Sequence, residues 1–187
     1  MVSPGQYAFA FKAFSNNYWD MSKPVLMDKT TNLLCRYQSV KQAADILGVK
    51  VKFVVLTRHP FSWISTTHPF DQGSYPDQES YVMMSKYATA VLNDSSIETL
   101  QVRYEDLANR PEAVMWKLQE FLPALGQLDP HSSGLTEEQK SKWEGRSIPI
   151  ADYFEQHPLQ WVPRTLEAET RKVLCELGYT DECSEAK

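Results

Sequence analysis

Two basic residues follow apolar runs, at points where the chain leaves predicted strands. Lys29 comes after PVLM (residues 24 to 27), with Asp28 between, and Arg58 comes directly after VKFVVLT (residues 51 to 57). Ligands of open α/β sheets bind beyond the carboxyl ends of the strands, so two cations at neighbouring strand ends favour an anionic ligand. Arginine can fork to two phosphate oxygens, whereas lysine offers a compact charge. On spacing alone, charged residues that simply mark where the chain leaves the core explain both positions equally well.

Polar side chains near these cations are the next candidates. Ser65 and Thr66 open the helix predicted after the second strand, where backbone N–H groups and the helix dipole favour anions. His59 is expected to enter that helix and pack its ring, because no orienting carboxylate for a catalytic base is evident. Glu105 and Asp106 could form a carboxylate pair. Their place after a strand and before a helix start instead predicts a solvated turn.

Strands and helices alternate along the chain and would position these residues. The run VKFVVLT is β-branched and almost continuously apolar, which predicts a central strand covered on both faces. The alternation as a whole predicts an α/β fold with a parallel sheet. The predicted strands are 24–27, 51–57 and 98–104, and the predicted helices are 32–47, 79–93, one after residue 109, and 165–177.

Several side chains predict how the helices begin, end and pack. Asn109, with Glu112 three residues later, predicts a capped helix start. Gly178 predicts the stop of the last helix. In helix 79–93, Tyr87 recurs on the apolar face with Met84, Ala88, Val91 and Leu92, so this face is predicted to be buried.

Composition limits the class of protein. The chain has 187 residues, of which 42% are hydrophobic and 23% charged, as expected for one globular domain. Its formal net charge of −5 gives no overall positive field that would collect nucleic acid, so any anion site must be local. No metal site is expected. The opening residues resemble neither a signal peptide nor a membrane span.

The cysteines point to a compartment. Cys35, Cys175 and Cys183 have no CxxC spacing, so they are expected to be ordinary thiols. Such thiols, with no signal sequence, favour a cytoplasmic protein.

Three segments, in this order, resemble the sulfotransferases that use 3'-phosphoadenosine 5'-phosphosulfate (PAPS). They read KPVLMDKT, VKFVVLTRHP and VRYEDLANRPE, and the similarity extends from about Trp19 to Leu122. The resemblance implies a P-loop-like parallel α/β sulfotransferase fold, with residues 1–187 forming a single, partial domain. The implied activity is transfer of a sulfuryl group from PAPS to a hydroxyl or amine. The acceptor, whether carbohydrate, small molecule or protein tyrosine, stays open. The resemblance includes Golgi enzymes, so an anchor upstream of this sequence would place the protein in the Golgi lumen instead of the cytoplasm.

The resemblance also implies roles for individual residues. Arg58 matches the arginine that holds the 3'-phosphate of PAPS. The family's partner serine falls on Thr66, with Ser65 beside it. Lys29 matches the lysine of the family's E-K-[ST]-P segment, which approaches the sulfuryl group or the acceptor. This chain has D-K-T-T there, so the proline is missing.

The last two implied residues lie late in the chain. Gly145 and Arg146 resemble a loop that closes over the 3'-phosphate and adenosine, although an exposed glycine turn explains that segment equally well. No GxxxxGK[ST] motif occurs, which disfavours kinase chemistry. The family's Gly-rich 5'-phosphosulfate loop has no equivalent before Trp19, so an amino-terminally truncated domain is expected. A catalytically inactive binding protein of the same fold is the alternative.

Overall fold

Two strands in parallel form the sheet of the computed structural model. The strands are β1 (Lys52–Thr57) and β2 (Glu98–Arg103). The structure describes residues 5, 6, 8, 9, 12, 13, 20, 22–29, 31–61, 63, 78–129, 165–179 and 183.

Five helices have both of their ends within the described residues. Shorter 3₁₀ segments precede the first helix and follow the fourth, at Thr31–Arg36 and Pro123–Leu125. The helices are α1 (Tyr37–Leu47), α2 (Gln78–Asn93), α3 (Tyr104–Asn109), α4 (Pro111–Phe121) and α5 (Ala168–Glu176).

The register of the sheet places the ends of β1 and β2 side by side. Lys52 pairs with Glu98 at the start, and Thr57 pairs with Arg103 at the end. Parallel strands need a crossover connection, and α2 lies in the segment between them. The α/β character predicted from the sequence is therefore confirmed.

The core lies on one face of this sheet. Phe53 and Val55 of β1 pack there with Val40 of α1 and with Ala88 and Val91 of α2. A second cluster joins α2 to α5 through buried side chains. Its members are Tyr81, Val82, Leu166, Val173 and Leu174. The helix predicted at 165–177 is found at Ala168–Glu176, and the apolar residues of that segment, Leu166, Val173, Leu174 and Leu177, are buried.

A buried glutamine also holds α2 to the segment before α5. The Gln78 amide donates to the Thr165 carbonyl at 3.1 Å, and its own carbonyl accepts from the Glu167 N–H at 2.8 Å. Both polar ends of a side chain that is only 7% exposed are thus satisfied.

The prediction that β1 is covered on both faces is wrong. Val54 is 44% exposed and Leu56 is 57% exposed, whereas Phe53, Val55 and Thr57 are buried. Side chains alternate between the faces of a strand, so helices that cover one face leave the other residues outward. A continuous apolar run shows that both faces of a strand are apolar, but it does not show whether other elements pack on both of them.

The strand predicted at residues 24–27 is also absent. Residues 25–29 have no regular secondary structure, and Met27 is 80% exposed. Four apolar residues satisfy a strand pattern, but a strand exists only when a neighbouring strand accepts and donates its backbone hydrogen bonds.

Two details of the helices differ from the prediction. Asn109 is the last residue of α3, and α4 begins at Pro111 with Arg110 in the N-cap position, without a side-chain capping bond. Proline suits the first helical position because its missing N–H is not needed there. Tyr87, predicted inward, is 38% exposed because α2 turns Tyr81, Ser85 and Ala88 inward instead.

The end of α5 confirms one prediction and corrects another. Gly178 has φ of +81°, a left-handed conformation that favours glycine after a helix. Cys175 and Cys183, expected as thiols, form a disulfide with Cα atoms 5.5 Å apart. The disulfide holds Cys183, eight residues later in the chain, beside the end of α5. Cys35 is exposed and outside any disulfide.

Candidate functional site

Arg58 and Tyr104 form what we call the strand-end site. Thr57 and Arg103 are the last paired residues of β1 and β2, so Arg58 and Tyr104 directly follow the ends of the two strands. The carboxyl edge of a parallel sheet is the usual location of a ligand crevice in α/β folds. The structure therefore brings a guanidinium and an aromatic ring together at that edge.

The guanidinium of Arg58 lies over the ring of Tyr104. Its Cζ is 4.0 Å from the ring centroid, within the range of a cation–π contact. Such stacking uses the face of the guanidinium, whereas hydrogen bonds to a phosphate use the N–H groups in its plane. Stacking thus orients the cation in a way that is compatible with anion binding.

The peptide unit that joins Arg58 to His59 makes two side-chain hydrogen bonds. Its carbonyl oxygen accepts from the hydroxyl of Tyr81 at 2.8 Å. Its N–H donates to Oε1 of Glu105, also at 2.8 Å. We call this unit the 58–59 peptide. It lies where β1 ends and where helical residues begin at Pro60.

Glu105 is thus a structural side chain, and the solvated turn predicted for it is wrong. Besides the bond from the 58–59 peptide, its Oε2 accepts from the Tyr179 hydroxyl at 3.0 Å. Glu105 is in the first turn of α3 and half-buried. Both of its oxygens therefore have partners inside the protein, as a partly buried carboxylate requires.

His59 packs, as its sequence context predicts. It is 6% exposed, and its ring lies 5.2 Å from the ring of Phe61 and 5.9 Å from that of Tyr179. Its carbonyl accepts from the Trp63 N–H at 2.9 Å, which closes the first turn after Pro60.

A hydrogen-bonded layer supports the site from the buried face of the sheet. The Gln101 amide donates to the Thr57 hydroxyl at 3.2 Å and to the Leu177 carbonyl at 2.9 Å. The Arg103 guanidinium donates to the Gly178 carbonyl and lies 4.8 Å from the Tyr179 ring centroid. The end of α5 is thereby attached to β2.

Two tyrosines of this region are held in the neutral form. Burial raises the pKa of Tyr81 far above its usual range, and the nearby Glu105 carboxylate raises it further. Burial likewise raises the pKa of Tyr179, with Glu105 again contributing. Both hydroxyls therefore remain donors at any physiological pH.

Among the described residues, the structure places only one of the predicted site residues where the sequence predicts it. Arg58 stands at the carboxyl end of β1, as expected. Lys29 is exposed in the irregular segment 25–29, so the predicted strand end before it does not exist. Ser65, Thr66, Gly145 and Arg146 lie outside the described residues.

Sequence reasoning does not identify three residues of this region as part of a site. Tyr104 was assigned only to a strand, Tyr81 was not singled out, and Tyr179 follows the glycine stop of the last helix. The signal for Tyr104 was its position directly after a predicted strand, the same criterion that selected Arg58. Tyr81 and Tyr179 carry no comparable local signal, because only the tertiary structure brings them to the end of β1.

The comparisons with known proteins place no further constraint on the site. No protein-family model, no curated protein and no solved structure matched this chain. Among the described residues, no helix has the length and apolarity to cross a membrane. The same residues contain no group of three or more His, Cys, Asp or Glu side chains that could hold a metal ion.

Proposed function

We propose that this chain is a sulfotransferase-like domain that binds the 3'-phosphate of PAPS through Arg58. The observation that carries the proposal is the strand-end site, where the Arg58 guanidinium is stacked on Tyr104 at the carboxyl edge of two parallel strands. The resemblance in sequence assigns the same arginine to the 3'-phosphate. A chain with net charge −5 has no general affinity for anions. Anion binding must therefore come from a local cation, and the oriented arginine at this edge is such a cation.

The proposed reaction is an in-line transfer. The bond between sulfur and the bridging phosphate oxygen of PAPS breaks, a bond from sulfur to the acceptor oxygen or nitrogen forms, and a base takes the acceptor's proton. A cation near the departing oxygen offsets the charge that develops there. The resemblance assigns this role to Lys29, and it assigns Ser65, Thr66, Gly145 and Arg146 to the nucleotide.

The chemistry of the described residues fits one end of PAPS. A guanidinium whose plane is set by an aromatic ring can offer paired N–H donors to a phosphate. An aromatic ring beside the phosphate site also suits a ligand that carries a nucleoside. Binding of the 3'-phosphate end is therefore the part of the proposal that the described residues support directly.

Calorimetric titration with 3'-phosphoadenosine 5'-phosphate (PAP), the product nucleotide, tests the proposal, with ATP as the comparison ligand. We expect PAP to bind and Arg58→Ala to weaken it by about 2–4 kcal/mol, roughly 30- to 1,000-fold in Kd, because a paired, charge-assisted contact is lost. Arg58→Lys should recover only part of the loss, since lysine keeps the charge without the fork.

Arg36→Ala is the matched control. Arg36 is an exposed arginine at the end of the first 3₁₀ segment, so its loss changes the net charge equally without touching the strand-end site. Equal PAP affinity in the Arg58→Ala variant and the wild-type chain would refute the assignment of Arg58.

A binding protein that carries out no transfer is the second candidate. The exposed apolar side chains of Val54 and Leu56, on the outer face of β1, favour it. Strands with such surfaces tend to associate with other chains. Absence of PAP binding by the folded protein, together with concentration-dependent association, would favour this candidate over the sulfotransferase-like one.

A further inference from the structure

Both polar groups of the 58–59 peptide, its C=O and its N–H, are hydrogen-bonded to side chains. The Tyr81 hydroxyl donates to its oxygen, and Glu105 accepts from its N–H, each at 2.8 Å. A peptide unit is rigid, so its C=O and N–H point in opposite directions and rotate together. Rotating this peptide would break both hydrogen bonds at once.

The two side chains that hold the peptide are themselves anchored. Tyr81 projects from α2, is 5% exposed, and has its ring centroid 5.8 Å from that of Trp63. Glu105 belongs to α3, and its second oxygen accepts from Tyr179, beyond α5. Two segments of the chain therefore hold the peptide unit directly, and a third supports it through Glu105.

The position of this peptide helps to fix the direction of the Arg58 Cα–Cβ bond. Its carbonyl carbon is bonded to the Arg58 Cα, and the positions of N, Cα and this carbon set the direction of Cβ, so holding the peptide in place restricts the backbone dihedral φ of Arg58. Residues 52–57 are already held by pairing with β2, and this register ends at Thr57. Beyond the register, the hydrogen bonds from Tyr81 and to Glu105 hold the backbone, and the guanidinium lies 4.0 Å above Tyr104.

We propose that Tyr81 and Glu105 are positioning residues, which hold the 58–59 peptide so that Arg58 is oriented for an anionic ligand before the ligand arrives. The identity of the ligand rests on the function proposed above. The role itself concerns the free protein and does not depend on the ligand. Pre-orientation increases affinity because less freedom is lost on binding.

Glu105 could in principle affect an anion through its charge rather than through its geometry. These two effects have opposite signs. Glu105→Gln removes the charge but keeps a carbonyl oxygen that can accept from the His59 N–H. If charge dominated, Glu105→Gln would strengthen anion binding; if positioning dominates, Glu105→Gln should bind like the wild type and Glu105→Ala should bind more weakly.

The test measures PAP affinity and the motion of the Arg58 side chain in the full chain. Tyr81→Phe and Glu105→Ala should each weaken PAP binding roughly 5- to 10-fold, the effect of one lost hydrogen bond. Glu105→Gln should stay within about 2-fold. Tyr87→Phe is the matched control, because it removes a hydroxyl from an exposed position of the same helix. In an Arg58→Ala background, Tyr81→Phe should have no further effect.

Nuclear magnetic relaxation of the Arg58 Nε–H group in the free protein provides the second measurement. We expect its order parameter to fall in Tyr81→Phe and Glu105→Ala and to be unchanged in Tyr87→Phe and Glu105→Gln. Unchanged order in Tyr81→Phe, which removes only a hydroxyl from a folded chain, would overturn the positioning role. If the wild type binds no PAP while Arg58 still becomes more mobile in Tyr81→Phe, the proposed function fails and the positioning role stands.

Discussion

Replacing Gly178 with alanine should destabilise the protein by two separable effects. Gly178 has φ of +81°, and alanine in the left-handed region costs about 1 kcal/mol after allowance for the less flexible unfolded chain. A Cβ placed on Gly178 would also lie 2.8 Å from Nη2 of Arg103. That guanidinium must then move away from the Gly178 carbonyl to which it donates. Loss of a hydrogen bond from a charged group adds about 2 kcal/mol, for a total of about 3 kcal/mol.

Gly48 offers the matched control for the backbone effect. It follows α1 with φ of +66°, and no atom lies within 4 Å of the position that its Cβ would occupy. Gly48→Ala should therefore cost only about 1 kcal/mol, the backbone effect alone. Urea denaturation followed by circular dichroism measures both free energies of unfolding, provided that the m-values agree.

A double-mutant cycle identifies Arg103 as the source of the difference. In an Arg103→Ala background the guanidinium is absent, so Gly178→Ala should cost the same as Gly48→Ala. The coupling between positions 103 and 178 should then be about 2 kcal/mol. If Gly178→Ala costs no more than Gly48→Ala in the wild-type background, the guanidinium finds an equally good position, and the argument from steric exclusion is wrong.

Two further predictions concern buried hydroxyl groups. The Thr170 hydroxyl is fully buried and has no hydrogen-bond partner among the described residues, so Thr170→Val should raise the free energy of unfolding by about 1 kcal/mol. The same change at Thr57, whose hydroxyl accepts from Gln101, should lower it by about 1 kcal/mol, as measured by urea denaturation. Stabilities that shift in the same direction in both variants would contradict this account. Tyr81 and Tyr179 have raised pKa values in the folded chain, so above about pH 10 they stay neutral there while the same tyrosines ionise in the unfolded chain. The free energy of unfolding should therefore fall as the pH rises above about 10. Absorbance near 295 nm, which reports ionised tyrosine, should show that two fewer tyrosines ionise in the folded protein than in the unfolded protein. If all tyrosines of the folded chain are ionised by about pH 11, the raised pKa values of Tyr81 and Tyr179 are refuted.

Local pattern was sufficient where an element depends on its own residues. The helix predicted at 79–93 is found at Gln78–Asn93, and the strand predicted at 51–57 is found at Lys52–Thr57. Long periodic or β-branched segments carry their secondary structure in their sequence. The glycine stop at 178 was equally readable, because few residues other than glycine adopt a positive φ.

Prediction failed where an element depends on a distant partner. Residues 24–27 have a strand-like composition, but no β pairing forms along them. Val54 and Leu56 are as apolar as Val55, yet they lie on the exposed side of β1. The disulfide of Cys175 with Cys183 depends on Cys183 lying beside the end of α5, which cysteine spacing alone does not reveal.

The sequence by itself determined the alternation of helices and strands and the position of Arg58 at a strand end, because both follow from the order of residue types along the chain. Only the tertiary structure decided what surrounds Arg58. Register places Tyr104 beside it, and side chains from α2 and α3 hold the 58–59 peptide. Tyr81 is separated by 23 residues from the peptide that it binds, and Glu105 by 46. Contacts over such separations depend on the packing of whole elements, which no local pattern encodes.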